Sequence, residues 1–257
     1  MSDLIAPRTT VLILSFNEAP NLARCLERLD WASRILLVDS GSTDETLEIA
    51  SRYANVEVVH RPFDSFADQC NFGLGLVDTP WVLSLDADYE LSEDLVREIQ
   101  SLREETAQGY STTFIYRIHG RALRGTLYPA RTVLYRRQAA RYRDEGHGHR
   151  VTVAGEVGTL AAPIYHDDRK PLLRWVDSQK RYAHIEADHL LAAPRDTLNR
   201  VDRLRLRAWP APLLVFVYTL FWKGAFLDGW AGWYYTLQRT IAECLIALTL
   251  IDRRLAK

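Results

Sequence analysis

Residues 81–90, WVLSLDADYE, constrain this chain more than any other stretch, because a short apolar run ends abruptly in two carboxylates one alanine apart. Val82, Leu83 and Leu85 read as a buried parallel strand, apolar with little alternation. Side chains two apart on a strand share a face, so Asp86 and Asp88 are expected to project together while Ala87 points elsewhere. Two adjacent carboxylates are costly without a positive partner. The carboxyl ends of strands are also where open α/β sheets bind ligands. A hard divalent ion, Mg²⁺ or Mn²⁺, is the natural partner, since it takes carboxylates and still coordinates phosphate. The plainer account makes the pair a cap for the next helix, but Ser92, followed by Glu93 and Asp94, already fills that role.

The segments around this strand alternate. Strands are expected at 10–16, 34–38 and 56–59, with helices at about 20 onward, 44–53 and 66–76 between them, and a further helix at 93–104. Thr43 is the expected cap of the 44–53 helix. Such alternation predicts a mostly parallel sheet with right-handed crossovers and helices on both faces. From residue 112 the pattern changes to strands at 113–118, 132–136 and 157–165 without intervening helices, which predicts an antiparallel extension. A helix at 171–192 follows, stopped by Pro194.

At 257 residues the chain can bury a full core. Its net charge of −1 conceals a split: residues 1–115 hold 20 acidic and 8 basic side chains, and residues 116–257 hold 13 and 24. The basic half is expected to face something anionic. Cys25, Cys70 and Cys244 are scattered and odd in number, which suggests a reducing compartment and gives no metal or disulfide framework. The apolar run 11–16 is too short for a signal peptide and reads as the first strand.

Four runs in order, SFNE at 15–18, VDSGSTD at 38–44, Asn71, and LDAD at 85–88, resemble family 2 glycosyltransferases of the GT-A fold. GEVGTLAAPIYHDD and KGAFLDGWAGWYYTLQR extend the resemblance toward the branch containing lipopolysaccharide-core glucosyltransferases. The resemblance implies that Asn17, Glu18 and Asp39 line a nucleotide site, Asp39 reaching the base or ribose, and that Asn71 lies near the donor. It also implies that Asp86 touches the ribose or the metal, and that Asp88 holds the metal, with His166 completing the shell or touching the diphosphate. An ordinary turn with a helix cap accounts equally well for VDSGSTD alone, and a core hydrogen bond for a lone His166. The expected donor is a UDP-sugar, with UDP-glucose the default.

An inverting transfer needs one carboxylate base near the acceptor hydroxyl. Asp144 and Glu145 are the only acids between residues 116 and 150, among nine arginines. By resemblance the base lies here, with Glu145 slightly favoured over Asp144. The relatives' His-Glu is replaced by His149-Arg150, which leaves the choice between the two acids open, as is a pairing role with the arginines. His147 and His149, in the glycine loop beside them, are candidate acceptor contacts. Glu90 reads as a solvated first-turn residue, and Arg61 as a surface arginine.

Arg195, Arg200, Arg203, Arg205 and Arg207 precede the apolar run 209–222, which is shorter than the ~20 residues a spanning helix needs. Four of the seven tryptophans fall in 209–233. Tryptophan collects at membrane interfaces and arginine favours anionic headgroups. The expected organisation is therefore a GT-A catalytic domain at 1–193, with a nucleotide-sugar half at 1–110 and an acceptor half at 111–193. A helical, monotopic membrane-associating region follows at 194–257, or alternatively a hairpin packed on the catalytic domain or a second subunit. The expected partners are a nucleotide-sugar donor, a lipid-linked saccharide acceptor and the cytoplasmic face of the cell membrane. Nucleic acid fits poorly, because the aromatics are not interleaved with basic groove residues. The rival readings are a polyprenyl-phosphate glycosyltransferase, which needs no base, and a non-catalytic nucleotide-sugar-binding scaffold.

Overall fold

All of TTVLILS at 9–15 is buried except the half-buried Leu14, so this strand needs partners on both edges and cover on both faces. The computed structural model supplies them; it describes residues 3–145 and 148–256, apart from the side chains of residues 145, 148 and 149. The described chain divides into two compact units, residues 1–119 with 128–169, and residues 120–127 with 170–257.

The first unit contains β1 (Thr9–Ser15), α1 (Leu22–Leu26), β2 (Ile35–Asp39), α2 (Thr46–Ser51), β3 (Val56–His60), α3 (Phe66–Leu76), β4 (Trp81–Asp86) and β5 (Tyr89–Leu91). It continues through α4 (Glu93–Ser101), β6 (Gly109–Thr112) and β7 (Phe114–Ile118). After the short β8 (Arg121–Ala122), which belongs to the second unit, come β9 (Arg131–Arg136), β10 (Ala140–Glu145), β11 (Gly148–Val153), β12 (Val157–Thr159) and β13 (Ile164–His166).

The main sheet has the order β12-β6-β9-β4-β1-β2-β3. β1 runs parallel to β2 and β4, and β2 to β3; β9 is antiparallel to both β4 and β6. This is the mostly parallel sheet with an antiparallel extension that the sequence predicts, β9 joining β6 and β12 to the edge of β4. Alternation along the strands sorts the core into two layers. Val11 and Ile13 pack with Ile35, Leu37, Leu83 and the α1 and α4 residues Leu22, Leu26, Leu95 and Ile99. Leu12 turns the other way with Leu36, Val38 and Val82, against Ala67, Cys70 and Leu74 of α3. Each such aliphatic side chain, fully buried, stabilises the fold by roughly 1.5–3 kcal/mol.

Several expected elements differ. The chain at 17–21 is a loop in which Asn17 takes a left-handed φ of 55°, so α1 starts only at Leu22. α2 is shorter than expected and starts at Thr46, whose backbone N–H donates to the Asp44 carboxylate rather than to Thr43 (3.1 Å). The stretch 157–165 is two strands in different sheets. They are separated where the Glu98 carboxylate accepts the backbone N–H groups of Ala161 and Ala162 (2.9 and 3.0 Å). β6, β10 and β11 have no counterpart in the sequence reading, whereas α3 has the expected limits. Ser92 caps α4 as expected, its hydroxyl accepting from the Leu95 N–H at 3.1 Å.

The second unit contains α5 (Leu172–Ala192), α6 (Arg200–Arg205), α7 (Pro210–Val217) and α8 (Trp230–Leu255). Ala183, Ala187 and Leu190 of α5, spaced to share one face, pack with Ile246 and Leu250 of α8. That packing places α5 with the C-terminal helices, while the sequence division falls after it, at residue 193. Arg205, expected to face headgroups, is instead only 18% exposed and paired with Glu243 and with Glu186 (3.2 Å). Among the described residues no helix is long and apolar enough to cross a membrane.

Candidate active site

The carboxyl ends of β1 and β2 are tied together through their loops. The Asn17 side-chain oxygen accepts from the N–H groups of Thr43 (2.7 Å) and Asp44 (3.2 Å), and the Asn17 N–H donates to the Ser42 hydroxyl (2.7 Å). The Glu18 N–H donates to the Thr46 hydroxyl at 2.6 Å. Asp39, the last residue of β2, is wholly buried. One of its oxygens accepts from the N–H groups of Gly41 (2.9 Å) and Ser42 (2.8 Å), the other from the hydroxyls of Ser15 and Ser42. Burial opposes ionisation of Asp39, but the Ser42 hydroxyl and N–H, with Ser15 and Gly41, hold its carboxyl below the ordinary range. The SGST turn is therefore wrapped around a fixed carboxylate.

At the end of β4 the chain leaves strand geometry. Ala87 and Asp88 form a turn, Ala87 is buried, and β5 begins immediately at Tyr89. Strand alternation does not extend from Asp86 to Asp88, because β4 ends at Asp86. What Asp88 meets is His166, whose Nε2 lies 3.1 Å from its carboxylate. The pairing follows from register: His166 of β13 stands opposite Tyr89 of β5 and level with Tyr116 of β7. Those three positions form one row across a smaller sheet in which β13 lies between β5 and β7, with the His166 ring 5.3 Å from that of Tyr89 and 4.5 Å from that of Tyr116. Tyr128 closes the box at 4.8 Å from His166, and its hydroxyl bonds to that of Tyr89. Arg131 stacks over Tyr128 at 4.7 Å.

Burial lowers the basicity of His166, but the charge and hydrogen bond of Asp88, with Asp86 and Asp168 behind, raise it above its ordinary value. Burial also pushes the hydroxyls of Tyr89 and Tyr128 up, so both remain neutral donors. Among the described residues no three His, Cys, Asp or Glu side chains converge on one ion position. The adjoining segment is fixed by Asn21, whose amide donates to Asp168 (2.9 Å) and whose oxygen accepts from the Arg169 N–H (2.9 Å). Arg24 also binds the buried Asp167 at 3.2 Å.

Asn71 lies on α3 and grips a backbone. Its amide donates to the Tyr142 carbonyl and accepts from the Tyr142 N–H, both at 3.0 Å, which pins β10 to the helix. Asp144 lies further along β10 and accepts the Ala67 N–H in the first turn of α3 at 3.1 Å. The Glu145 and His149 side chains and all of His147 lie outside the described residues. Glu90 is not solvated: it is 15% exposed, with Arg117, Arg28 and Arg24 at 3.3, 3.7 and 3.9 Å. Arg61 bonds to the Asp68 carbonyl and to Asp64 (both 2.5 Å) and covers the Phe72 ring.

Residues 10–158, more than half of the chain, match the family model described as "Glycosyl transferase family 2". The chain belongs to that family. Among curated proteins it is 34% identical over 101 residues to an uncharacterized glycosyltransferase of Rickettsia bellii (strain RML369-C), covering 39% of this chain and 34% of the relative. It is 32% identical over 90 residues to the lipopolysaccharide core biosynthesis glycosyltransferase LpsC of Rhizobium meliloti (strain 1021), covering 34% of this chain and 33% of LpsC. The matched stretch thus spans about a third of these relatives' length. Among solved structures, the mannosyltransferase PcManGT from Pyrobaculum calidifontis, in complex with GDP-Man and Mn²⁺, has a TM-score of 0.56 at 17% identity. The match covers 97% of this chain and 88% of PcManGT. That likeness is one of fold, and it agrees with the GT-A arrangement of a family 2 glycosyltransferase.

Tyr89, Tyr116, Tyr128 and Arg131 were not among the sequence candidates. Tyr89 directly follows the LDAD motif, the one local hint; Tyr116 reaches the site through strand register, and Tyr128 and Arg131 come from the loop that leads into β9 and from its first residue.

Proposed function

We propose that this chain is an inverting glycosyltransferase that moves a sugar from a UDP-sugar to a hydroxyl of a lipid-linked saccharide, of the lipopolysaccharide-core type, at the cytoplasmic face of the cell membrane. The observation that carries the reading is the Asp88–His166 pair in its aromatic box, beyond the end of β4. Similarity to LpsC supports the saccharide class.

The loops gathered around Asn17, Glu18 and Asp39 hold the nucleotide in this reading, and Asp86 contacts the ribose. Asp88 and His166 would hold a Mg²⁺ or Mn²⁺ ion: a carboxylate suits either ion, and imidazole suits Mn²⁺. When bound, the ion neutralises charge on the leaving diphosphate. The neutral hydroxyls of Tyr89 and Tyr128 and the Arg131 guanidinium set the polarity beside it. Asp144 or Glu145 takes the proton of the acceptor hydroxyl. That oxygen attacks the anomeric carbon as its bond to the diphosphate breaks, and the nucleoside diphosphate departs with the electron pair. Asn71, which holds β10, positions Asp144.

The test is calorimetric binding of UDP and GDP, with and without Mn²⁺, to the wild type and Asp88→Asn. The expected result is Mn²⁺-dependent UDP binding that weakens about tenfold or more in the variant, since even the loss of a group that only orients a metal ligand costs about that much. Absence of nucleotide binding under every metal condition overturns the reading.

A further inference from the structure

The second unit carries most of the apolar surface left in solvent. Sixteen of the twenty-four exposed large apolar side chains among the described residues fall in residues 209–255. Six of these sixteen lie within thirteen residues, 218–230, at the tip of a helical hairpin. α7 continues into a turn of π-helix (Tyr218–Trp222), and the chain reverses at Lys223 and Gly224, the latter with a left-handed φ of 73°. It then forms a short 3-10 turn (Ala225–Asp228) and enters α8.

Phe221, Trp222, Phe226, Leu227 and Trp230 all stand exposed at this tip, Trp222 by 81%. The one acid in residues 218–230, Asp228, is only 4% exposed and faces inward, where its carboxylate accepts the Arg124 N–H at 3.0 Å. The outward surface of the tip is therefore apolar with one cation, Lys223. The tip is also preformed: a Cβ on Gly232 would stand 1.8 Å from the Ala225 carbonyl oxygen, so α8 and the turn touch backbone to backbone.

A soluble surface rarely leaves such a patch without a partner. Two features select the partner. Trp209, Trp222, Trp230 and Trp233 are all exposed, and tryptophan is the side chain that settles at the boundary of headgroup and acyl chain. Exposed Arg195, Arg200, Arg203 and Arg207 lead into the hairpin, and residues 194–257 hold ten basic against five acidic side chains. Opposing a second copy would bring this basic surface against itself, whereas anionic lipid complements it.

We propose that the hairpin tip, residues 218–230, inserts as a wedge into the headgroup region of an anionic phospholipid bilayer, with Lys223 meeting lipid phosphate. The inference rests on the lipid-linked acceptor reading and narrows it: the tip inserts, while Arg205 and Glu243 remain inside the helical unit. No spanning segment is required.

The test is flotation of the full-length protein with vesicles of phosphatidylcholine alone or with phosphatidylglycerol, without nucleotide or acceptor, so that a failure of the transferase reading leaves it intact. The wild type is expected to float with the anionic vesicles and to release as salt rises. Phe221→Ser with Trp222→Ser should lower the partition coefficient about tenfold or more through lost apolar burial. Lys223→Glu should weaken binding to anionic vesicles alone, and melting curves identify any variant that has not folded. Wild type that stays unbound, or folded variants that bind as the wild type does, overturns the proposal. A concentration-dependent dimer in light scattering that the tip variants dissolve also overturns it, and assigns the surface to a second copy.

Discussion

Asp39 is buried, charged and saturated with donors, which makes its carboxylate a keystone of the loop between β2 and α2. In Asp39→Asn one acceptor oxygen becomes a donor that opposes existing donors, at a cost of roughly 2–3 kcal/mol in denaturant unfolding at neutral pH. Because its folded pKa lies below the unfolded value of about 3.9, the stabilisation is complete above that value. It is lost as pH falls through the folded value, so the gap between wild type and variant should narrow below about pH 4. Equal stability at pH 7 would mean that the loop is not built on this carboxylate. The sequence marked the run Asp39 to Asp44 as a turn but not this wiring, because Ser15 and Asn17 join it from the end of β1 and Thr43 does not cap α2. Nor was the box around His166 legible: Tyr89, Tyr116 and His166 become neighbours only when β5, β13 and β7 align in one register, and no local pattern carries that information.

Among elements, α3 has the limits the sequence predicts, 66–76, and the structure adds the cap that fixes its start, the Ser65 hydroxyl accepting the Asp68 N–H at 3.2 Å. The hairpin of β10 and β11 was not predicted. Its strands alternate Tyr142 inward with Arg141 and Arg143 outward, but the density of charge and the glycine-histidine run resemble a loop. What fixes the hairpin is a side chain on another element, the Asn71 amide bound to both backbone groups of Tyr142. Asn71→Ala leaves those groups to find other partners and should cost roughly 1–3 kcal/mol. Hydrogen exchange separates this from a general loss of stability. The Tyr142 amide should lose protection well before the β1 amides do, and uniform loss across the sheet would contradict a local anchor.

At the scale of the molecule, composition counted charges without locating them. The acidic and basic halves are real in sequence, but Arg205 does not belong to the outward basic surface. It bridges Glu243, 3% exposed, and Glu186, within the helical unit. Burial disfavours its charge, yet the hydrogen bond and charge of Glu243, with Glu186 and Asp202, raise its pKa above the ordinary arginine value. Arg205→Ala deprives two buried carboxylates of their cation, and breaking such a group from one side costs about 3–5 kcal/mol. Five of the seven tryptophans belong to the second unit, so their fluorescence should report the loss as a lower unfolding midpoint. Replacing the whole group, Arg205→Met with Glu186→Gln and Glu243→Gln, removes the buried charges together with their desolvation cost. It should recover much of the lost stability, because such a cluster is expensive to break from one side and far less so to replace entirely. If the triple variant is no more stable than Arg205→Ala, the cluster acts through its shape and hydrogen bonds, and charge balance is not what holds these helices together.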